Sequence, residues 1–280
     1  MAHFGPGQSY TVCRRLPGFL IVNPRSGGGT PSAEELAAAA AERGVEAHLL
    51  RPDEDPYELA QDADADALGM AGGDGSLAVV AKAAFERDLP FVCVPFGTRN
   101  HLARDLGLDR DDPIAALAAF GGEERRIDLA WVNDRPFLNN VSLGMYARLV
   151  HHRERHRRRR EALARLRALA IALRHRTPRG VTVDGEAIRA RVILVSNNAY
   201  ELDLLSLGER KRLDEGRLHL YAATGIMRSQ WTERSGTHFA INVSAGYLRA
   251  AVDGEPERLE TPLDFRIEPR SLRVLVPPGL

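Results

Sequence analysis

The chain has 280 residues, and its 38 basic and 38 acidic side chains cancel to a formal charge of zero. That length exceeds one average domain and suits two, each large enough to fold around its own core without staples. Cys13 and Cys93 are the only cysteines and have no Cys-x-x-Cys or histidine partner at metal spacing, which argues against a disulfide framework or a zinc site and fits a reducing compartment.

Residues 1–15 lack the apolar stretch of a signal peptide, and no run of 18 apolar residues occurs anywhere, so neither export by that route nor a membrane span is expected. Phe19-Leu20-Ile21-Val22 reads as a short strand that stops at Asn23-Pro24. After a glycine-rich turn, Ser32 with Glu35 three residues later forms a capping box and predicts an alanine-rich helix to about Arg43. A second strand is expected from Ala67 to Met70. It stops at Gly72-Gly73-Asp74-Gly75-Ser76, and the spacing of Leu77, Val80, Ala81 and Ala84 predicts a helix behind it. Phe91-Val92-Cys93-Val94 repeats the scheme, ending at Pro95-Phe96-Gly97-Thr98-Arg99-Asn100 before a helix from about His101. Such alternation builds a mostly parallel sheet covered by helices. It brings three loops bearing Gly or Asn to one edge, the carboxyl edge where ligands sit in open α/β sheets.

From about Asp128 the texture changes to short strands with polar turns. Val181 to Glu186 and Leu248 to Glu255 each centre on an Asp-Gly turn signal, and Leu272 to Val276 reads as a last strand. This half is expected to be an antiparallel β domain. Between Arg148 and Arg179 twelve arginines face only Glu154 and Glu161, so the segment carries +10 and the remainder −10. Leu163, Leu166, Leu169, Ala170 and Leu173 fall at helical spacing there, which predicts one or two inserted amphipathic basic helices.

Gly72-Gly73-Asp74-Gly75-Ser76 is the strongest chemical signal. Three glycines around one aspartate let the backbone turn sharply and bring its N–H groups to an anion, and the following helix N-terminus adds a positive dipole end. Polyphosphate suits such a cradle; a plain strand-to-helix turn with Asp74 as N-cap is the other reading. Asn23-Pro24-Arg25-Ser26-Gly27-Gly28-Gly29 and Gly97-Thr98-Arg99-Asn100 are weaker alone, because Asn-Pro and Gly runs mark any surface loop. Asp253-Gly254-Glu255 is duplicated by Asp184-Gly185-Glu186, and both read as hairpin turns.

Taken in order, Asn23-Pro24-x-Ser26-Gly27, Gly72-Gly73-Asp74-Gly75-Ser76, and Pro95-x-Gly97-Thr98-x-Asn100 with Leu102-Ala103-Arg104 resemble the catalytic domain of the diacylglycerol kinase family. That family is shared by bacterial lipid kinases, ceramide kinases and sphingosine kinases. Phe137-Leu138-Asn139 with Ser142 and Gly144, Asp214-Glu215-Gly216, Asp253-Gly254-Glu255-Pro256 and the Ile267 to Pro277 segment continue the resemblance over nearly the whole chain. It implies an α/β nucleotide-binding domain over residues 1–128, joined by a C-terminal strand at 271–280. Residues 129–270 would be a β-sandwich lipid-substrate domain interrupted by the basic insert at 148–179, with the active site in the cleft. The resemblance implies Mg²⁺ and ATP. Asp74 would act in the magnesium and phosphate network, and Gly72, Gly73, Gly75 and Ser76 would cradle phosphates. Asn23, Ser26, Gly27, Gly97, Thr98 and Asn100 would support the nucleotide, and Glu255 would be general base toward the lipid hydroxyl. Asp214 and Glu215 fall where some members hold a structural metal. The family loop usually reads Gly-Thr-x-Asn-Asp, whereas His101 follows Asn100 here; Ser76 stands where threonine is commoner, and Arg99 where a small residue is frequent.

The expected activity is transfer of the γ-phosphoryl group of ATP to a diacylglycerol-like hydroxyl by a cytoplasmic, peripherally membrane-associated enzyme. Its Arg153 to Arg160 segment would meet an anionic membrane surface, and the −10 remainder argues against nucleic acid as a partner. The alternatives are a soluble kinase similar to NAD kinases, which share the Gly-Gly-Asp-Gly loop, and a non-catalytic lipid- or nucleotide-binding protein. A hydride-transferring Rossmann enzyme is disfavoured because Gly-x-Gly-x-x-Gly is missing after the first strand.

Overall fold

The computed structural model describes residues 18–27, 30–144, 180–203, 206–207, 209–224 and 230–280. The expected basic helices, Arg153 to Arg160 among them, lie outside these residues, as does Cys13.

The first part alternates β1 (Gly18–Val22), α1 (Ala33–Glu42), β2 (Val45–Leu49), α2 (Pro56–Asp62), β3 (Ala67–Gly72), α3 (Asp74–Glu86) and β4 (Phe91–Pro95), followed by the short helices α4 (His101–Asp105) and α5 (Pro113–Ala116). Strands run parallel in the order β2-β1-β3-β4. Every residue of β1, β3 and β4 is buried, as expected of strands covered on both faces. One face packs Ile21, Leu68 and Met70 against Leu77, Val80, Ala81 and Ala84 of α3, and the other packs Leu20 and Val22 against Leu36 and Ala40 of α1. The Ser32–Glu35 capping box forms with both of its bonds.

The chain then turns antiparallel through β5 (Glu123–Val132), β6 (Arg135–Phe137), β7 (Asn140–Gly144), β8 (Thr182–Val183), β9 (Glu186–Ala187) and β10 (Val192–Asn197). It continues through β11 (Leu202–Asp203), β12 (Ser206–Leu207), β13 (Leu218–Ala223), β14 (Trp231–Gly236), β15 (His238–Asn242), β16 (Tyr247–Val252), β17 (Glu255–Glu260) and β18 (Leu263–Val276). A six-stranded sheet, β14-β13-β10-β7-β16-β17, faces the antiparallel end of the larger sheet. Val141, Val195, Leu220 and Ala250 from the one meet Val132, Ile241, Leu263 and Phe265 from the other in a sandwich core. Alternation sets the faces: Leu248, Ala250 and Val252 of β16 point inward while Tyr247 and Arg249 stay exposed.

β18 is longer than the expected run and joins the two halves. Val274 and Leu275 pair in parallel with β4, while Leu263 to Arg266 pair antiparallel with β15 and most of the strand pairs with β5. A bulge between Glu268 and Leu272, where Arg270 takes φ 50°, re-aims the strand from one half to the other. Both Asp-Gly turns form as expected, with positive φ at Asp184, Gly185, Asp253 and Gly254.

Candidate active site

The carboxyl ends of β1, β3 and β4 carry the three signal loops side by side. Gly97 lies so close to the second loop that a Cβ there would come within 2.5 Å of Gly73 Cα, so only glycine lets the second and third loops touch. The first loop is tied to β3 by the Asn23 N–H donating to Ala71 O at 2.9 Å, and Gly27 lies on the ring of Phe96. Asn100 holds the third loop closed. Its Oδ1 accepts from Gly97 N at 2.9 Å and its Nδ2 donates to Gly97 O at 3.0 Å, while its backbone takes a left-handed φ of 49°, which asparagine tolerates better than most residues.

Asp74 is the first residue of α3 and is only 7% exposed, more enclosed than a surface loop would make it. Its side chain does not cap its own helix. Instead it accepts from the N–H groups of His101 and Leu102, both at 3.2 Å, which open α4, and from Asn139 Nδ2 at 3.1 Å. The carboxylate thus sits between two helix N-termini, where dipoles and N–H groups favour negative charge. His101 Nδ1 lies 3.8 Å from Asp74 Oδ2. Burial lowers the pKa of this imidazole, with Asp74 pulling the other way, so the ring is held toward its neutral form.

Glu255, the first residue of β17, is exposed and reaches over from the sandwich hairpin. A Cβ added to Gly75 would collide with Glu255 Cγ, so the sandwich carboxylate rests on the third glycine of the phosphate-type loop. Gly254, just before it, lies beside Arg99: a Cβ there would stand 3.5 Å from the guanidinium Nη1. Asp253 anchors the hairpin. Its carboxylate accepts three backbone N–H groups, from Leu138 at 2.8 Å, Asn139 at 2.8 Å and Asn140 at 3.0 Å. Burial pushes the Asp253 pKa up to about 7, with Asp74 nearby adding to the rise and the three N–H donors opposing it.

The structure therefore brings the loops that bear Asn23, Gly27, Gly72, Gly73, Asp74, Gly75, Ser76, Gly97 and Asn100 side by side and sets Glu255 against them, with Ser26 and the exposed Thr98 on the same loops. Asp214 and Glu215 engage other partners. Asp214 faces two guanidinium groups, Arg212 at 3.1 Å and Arg270 at 3.0 Å, and the first of these chiefly lowers its pKa. Glu215 Oε2 accepts from Ala199 N at 3.1 Å while Oε1 lies 3.3 Å from His219 Nε2. With both oxygens of Asp214 turned to arginines, this pair is a poor fit to a metal ligand set.

Sequence reasoning assigned no role to Asp105, Asn139, Arg210 or Asp253. Arg210 and Asp105 form an ion pair at 2.6 Å with both side chains fully enclosed. Arg210 stands in Glu209-Arg210-Lys211-Arg212, a run of charge that reads as solvated, so nothing local announces the burial.

Among the described residues no helix is long and apolar enough to cross a membrane, and no group of three His, Cys, Asp or Glu side chains is placed to hold a metal by itself.

Residues 17–132 match the family model for the diacylglycerol kinase catalytic domain. Over 94% of its length the chain is 25% identical to a probable lipid kinase YegS-like protein of Klebsiella pneumoniae (strain 342), covering 97% of that protein. A diacylglycerol kinase of Bacillus subtilis (strain 168) is 34% identical across 31% of this chain and 29% of its own. In fold the chain resembles the crystal structure of a putative diacylglycerol kinase from Bacillus anthracis str. Sterne, with a TM-score of 0.68 at 19% identity, covering 95% of this chain and 99% of that one. From the three-loop edge to the matched segment, residues 17–132 are similar to the diacylglycerol kinase catalytic domain, and along nearly all of its length the chain is similar to a probable lipid kinase.

Proposed function

We propose that the chain transfers the γ-phosphoryl group of ATP to a diacylglycerol-like lipid hydroxyl at a membrane surface, in the cytoplasm where ATP is supplied. The contact of Glu255 with Gly75 carries this reading, because it sets a carboxylate from the sandwich over a loop suited to phosphate. In this reading residues 1–128 with the terminal strand bind the nucleotide, and residues 129–270 present the lipid.

Phosphoryl transfer asks mainly for positioning and for neutralisation of charge. Backbone N–H groups of Gly73 to Ser76, at the start of α3, would hold phosphate oxygens, with the loop glycines keeping side chains out of the way. Asn23 and Asn100 keep the flanking loops in register, and the exposed Thr98 would offer its hydroxyl from the third loop. Mg²⁺ takes one or two carboxylates and completes its shell with substrate phosphates and water, and the hard oxygens of Asp74 at this helix terminus fit that demand. When bound it would neutralise phosphate charge; Asp74 would hold it, without the second carboxylate that His101 displaces. Glu255 would accept the proton of the lipid hydroxyl, for which it needs hydrogen-bond reach to the acceptor oxygen.

The test is a radiolabelled ATP and Mg²⁺ assay of the purified chain against a panel of extracted lipids and, in parallel, NAD, with products identified by mass spectrometry. Labelled lipid that disappears in Asp74→Asn is the expected result. Label on NAD instead would make it a soluble nucleotide kinase, and label on neither would leave a non-catalytic binding protein.

A further inference from the structure

A ring of hydrogen bonds, closed through the backbone of α4, runs beneath Asp74, and it includes a residue with no assigned role. Asp74 accepts from the first amides of α4, at His101 and Leu102. The last residue of the same short helix, Asp105, accepts from Arg210 Nε at 2.6 Å. Arg210 Nη2 donates to Asn139 Oδ1 at 2.6 Å, and Asn139 Nδ2 donates back to Asp74 Oδ1 at 3.1 Å. A guanidinium only donates and a carboxylate only accepts, so the Asn139 amide between them has one satisfactory orientation.

The same guanidinium holds backbone as well. Its Nη1 donates to Leu138 O at 2.6 Å and to Asn197 O at 3.1 Å, and its plane lies over the Tyr200 ring, 5.5 Å from the centroid. Leu138 and Asn139 are two of the three residues whose amides hold the Asp253 carboxylate, two positions before Glu255. One buried side chain thus braces the 138–140 turn from which both carboxylates are placed, Asp74 through the Asn139 amide and Glu255 through Asp253. We propose that Arg210 is a positioning residue that fixes where Asp74 and Glu255 stand relative to each other across the cleft. The proposal rests on the reading of those two carboxylates as the phosphoryl-transfer pair.

Replacing Arg210 by an apolar residue would strip the buried Asp105 carboxylate of its guanidinium partner on Oδ2, leaving Arg104 at 2.7 Å on Oδ1, so the informative change is Arg210→Lys, which keeps the charge and loses the fork. In the lipid kinase assay Arg210→Lys is expected to lower kcat by about 10- to 100-fold with KM for Mg-ATP within about threefold, the signature of misplaced groups rather than lost binding. Asn139→Ala is expected to do the same, and the double variant to be no slower than the slower single, because both break one ring. Wild-type kcat in Arg210→Lys, losses that multiply, or a loss that follows the unfolded fraction measured by circular dichroism would overturn the proposal. If Arg210→Lys does not fold, Asp105→Asn takes its place in the cycle. Should the wild-type chain phosphorylate no lipid, the function assigned above fails, and hydrogen exchange then decides the matter of Arg210. Faster exchange at the His101 and Leu102 amides with unchanged protection in α1 supports the brace, and unchanged exchange at both refutes it.

Discussion

At the scale of single residues, two chemically identical tripeptides have different surroundings. Glu255 rests on Gly75 beside the N-terminus of α3, whereas Glu186, in the other Asp-Gly-Glu turn, lies 2.7 Å from Arg234 on the sandwich surface. If Glu255 is the base, Glu255→Gln should lower kcat by about 10²- to 10⁴-fold while ATP binding, read by calorimetry, stays near wild type. Glu186→Gln should leave kcat unchanged; equal, small effects would reduce both to hairpin turns. Asp253 supplies a second prediction. A carboxyl whose folded pKa is raised contributes stability that is present below its unfolded pKa of about 4 and is lost as pH rises through the folded value, here about 7. Chemical denaturation should therefore show this contribution shrinking between about pH 4 and pH 7, measured against Asp253→Asn, which cannot titrate. A contribution that grows over that window would mean that the three N–H bonds outweigh burial.

At the scale of elements, the parts legible in the sequence are those whose pattern has one cause. β1, β3 and β4 are short apolar runs because both faces are covered, and α1 announces itself through the Ser32–Glu35 box. The region between Gly44 and Asp66 carried no expected element, yet it forms β2 and α2. β2 is an edge strand with only Val45 fully buried, and α2 is a seven-residue helix started by Asp55 accepting from Tyr57 N and by Pro56, too short for periodicity to register. The loops that bear Asp74 and Glu255 were legible through glycine patterning, but the braces that hold them were not, since burial of Asn139 and Arg210 depends on elements far away in sequence. Gly75 tests how α3 and β17 depend on each other. In the first turn of a helix Gly→Ala ordinarily favours the fold by up to about 1 kcal/mol, but here the new methyl must displace Glu255. Gly75→Ala should thus keep Tm within a few degrees while lowering kcat by at least about tenfold; retained turnover would show that the hairpin has room to move.

At the scale of the molecule, charge is divided as sharply as structure. The segment from Arg148 to Arg179 carries +10 against −10 for the remainder, so a chain with zero net charge is a strong dipole in its sequence. If the chain acts on a lipid as proposed, then with no described helix long and apolar enough to cross a membrane it would need another way to reach a substrate held in a bilayer, and the basic segment would supply one. Each arginine near an anionic surface contributes on the order of 1 kcal/mol, so a few of Arg153, Arg155 and Arg157 to Arg160 would suffice for reversible binding. Because the attraction is Coulombic and the Debye length falls from about 30 Å at 0.01 M salt to about 3 Å at 1 M, binding should weaken steeply with ionic strength. The acidic remainder would repel other polyanions and so weighs against nucleic acid as the partner. Co-sedimentation with vesicles should therefore be strong on membranes containing acidic phospholipid, weak on neutral phosphatidylcholine, and reduced when Arg157 to Arg160 are replaced by serine. Equal binding to both vesicles, or binding that the serine variant leaves unchanged, would mean that this charge is merely solvated and that the enzyme finds its lipid by another surface.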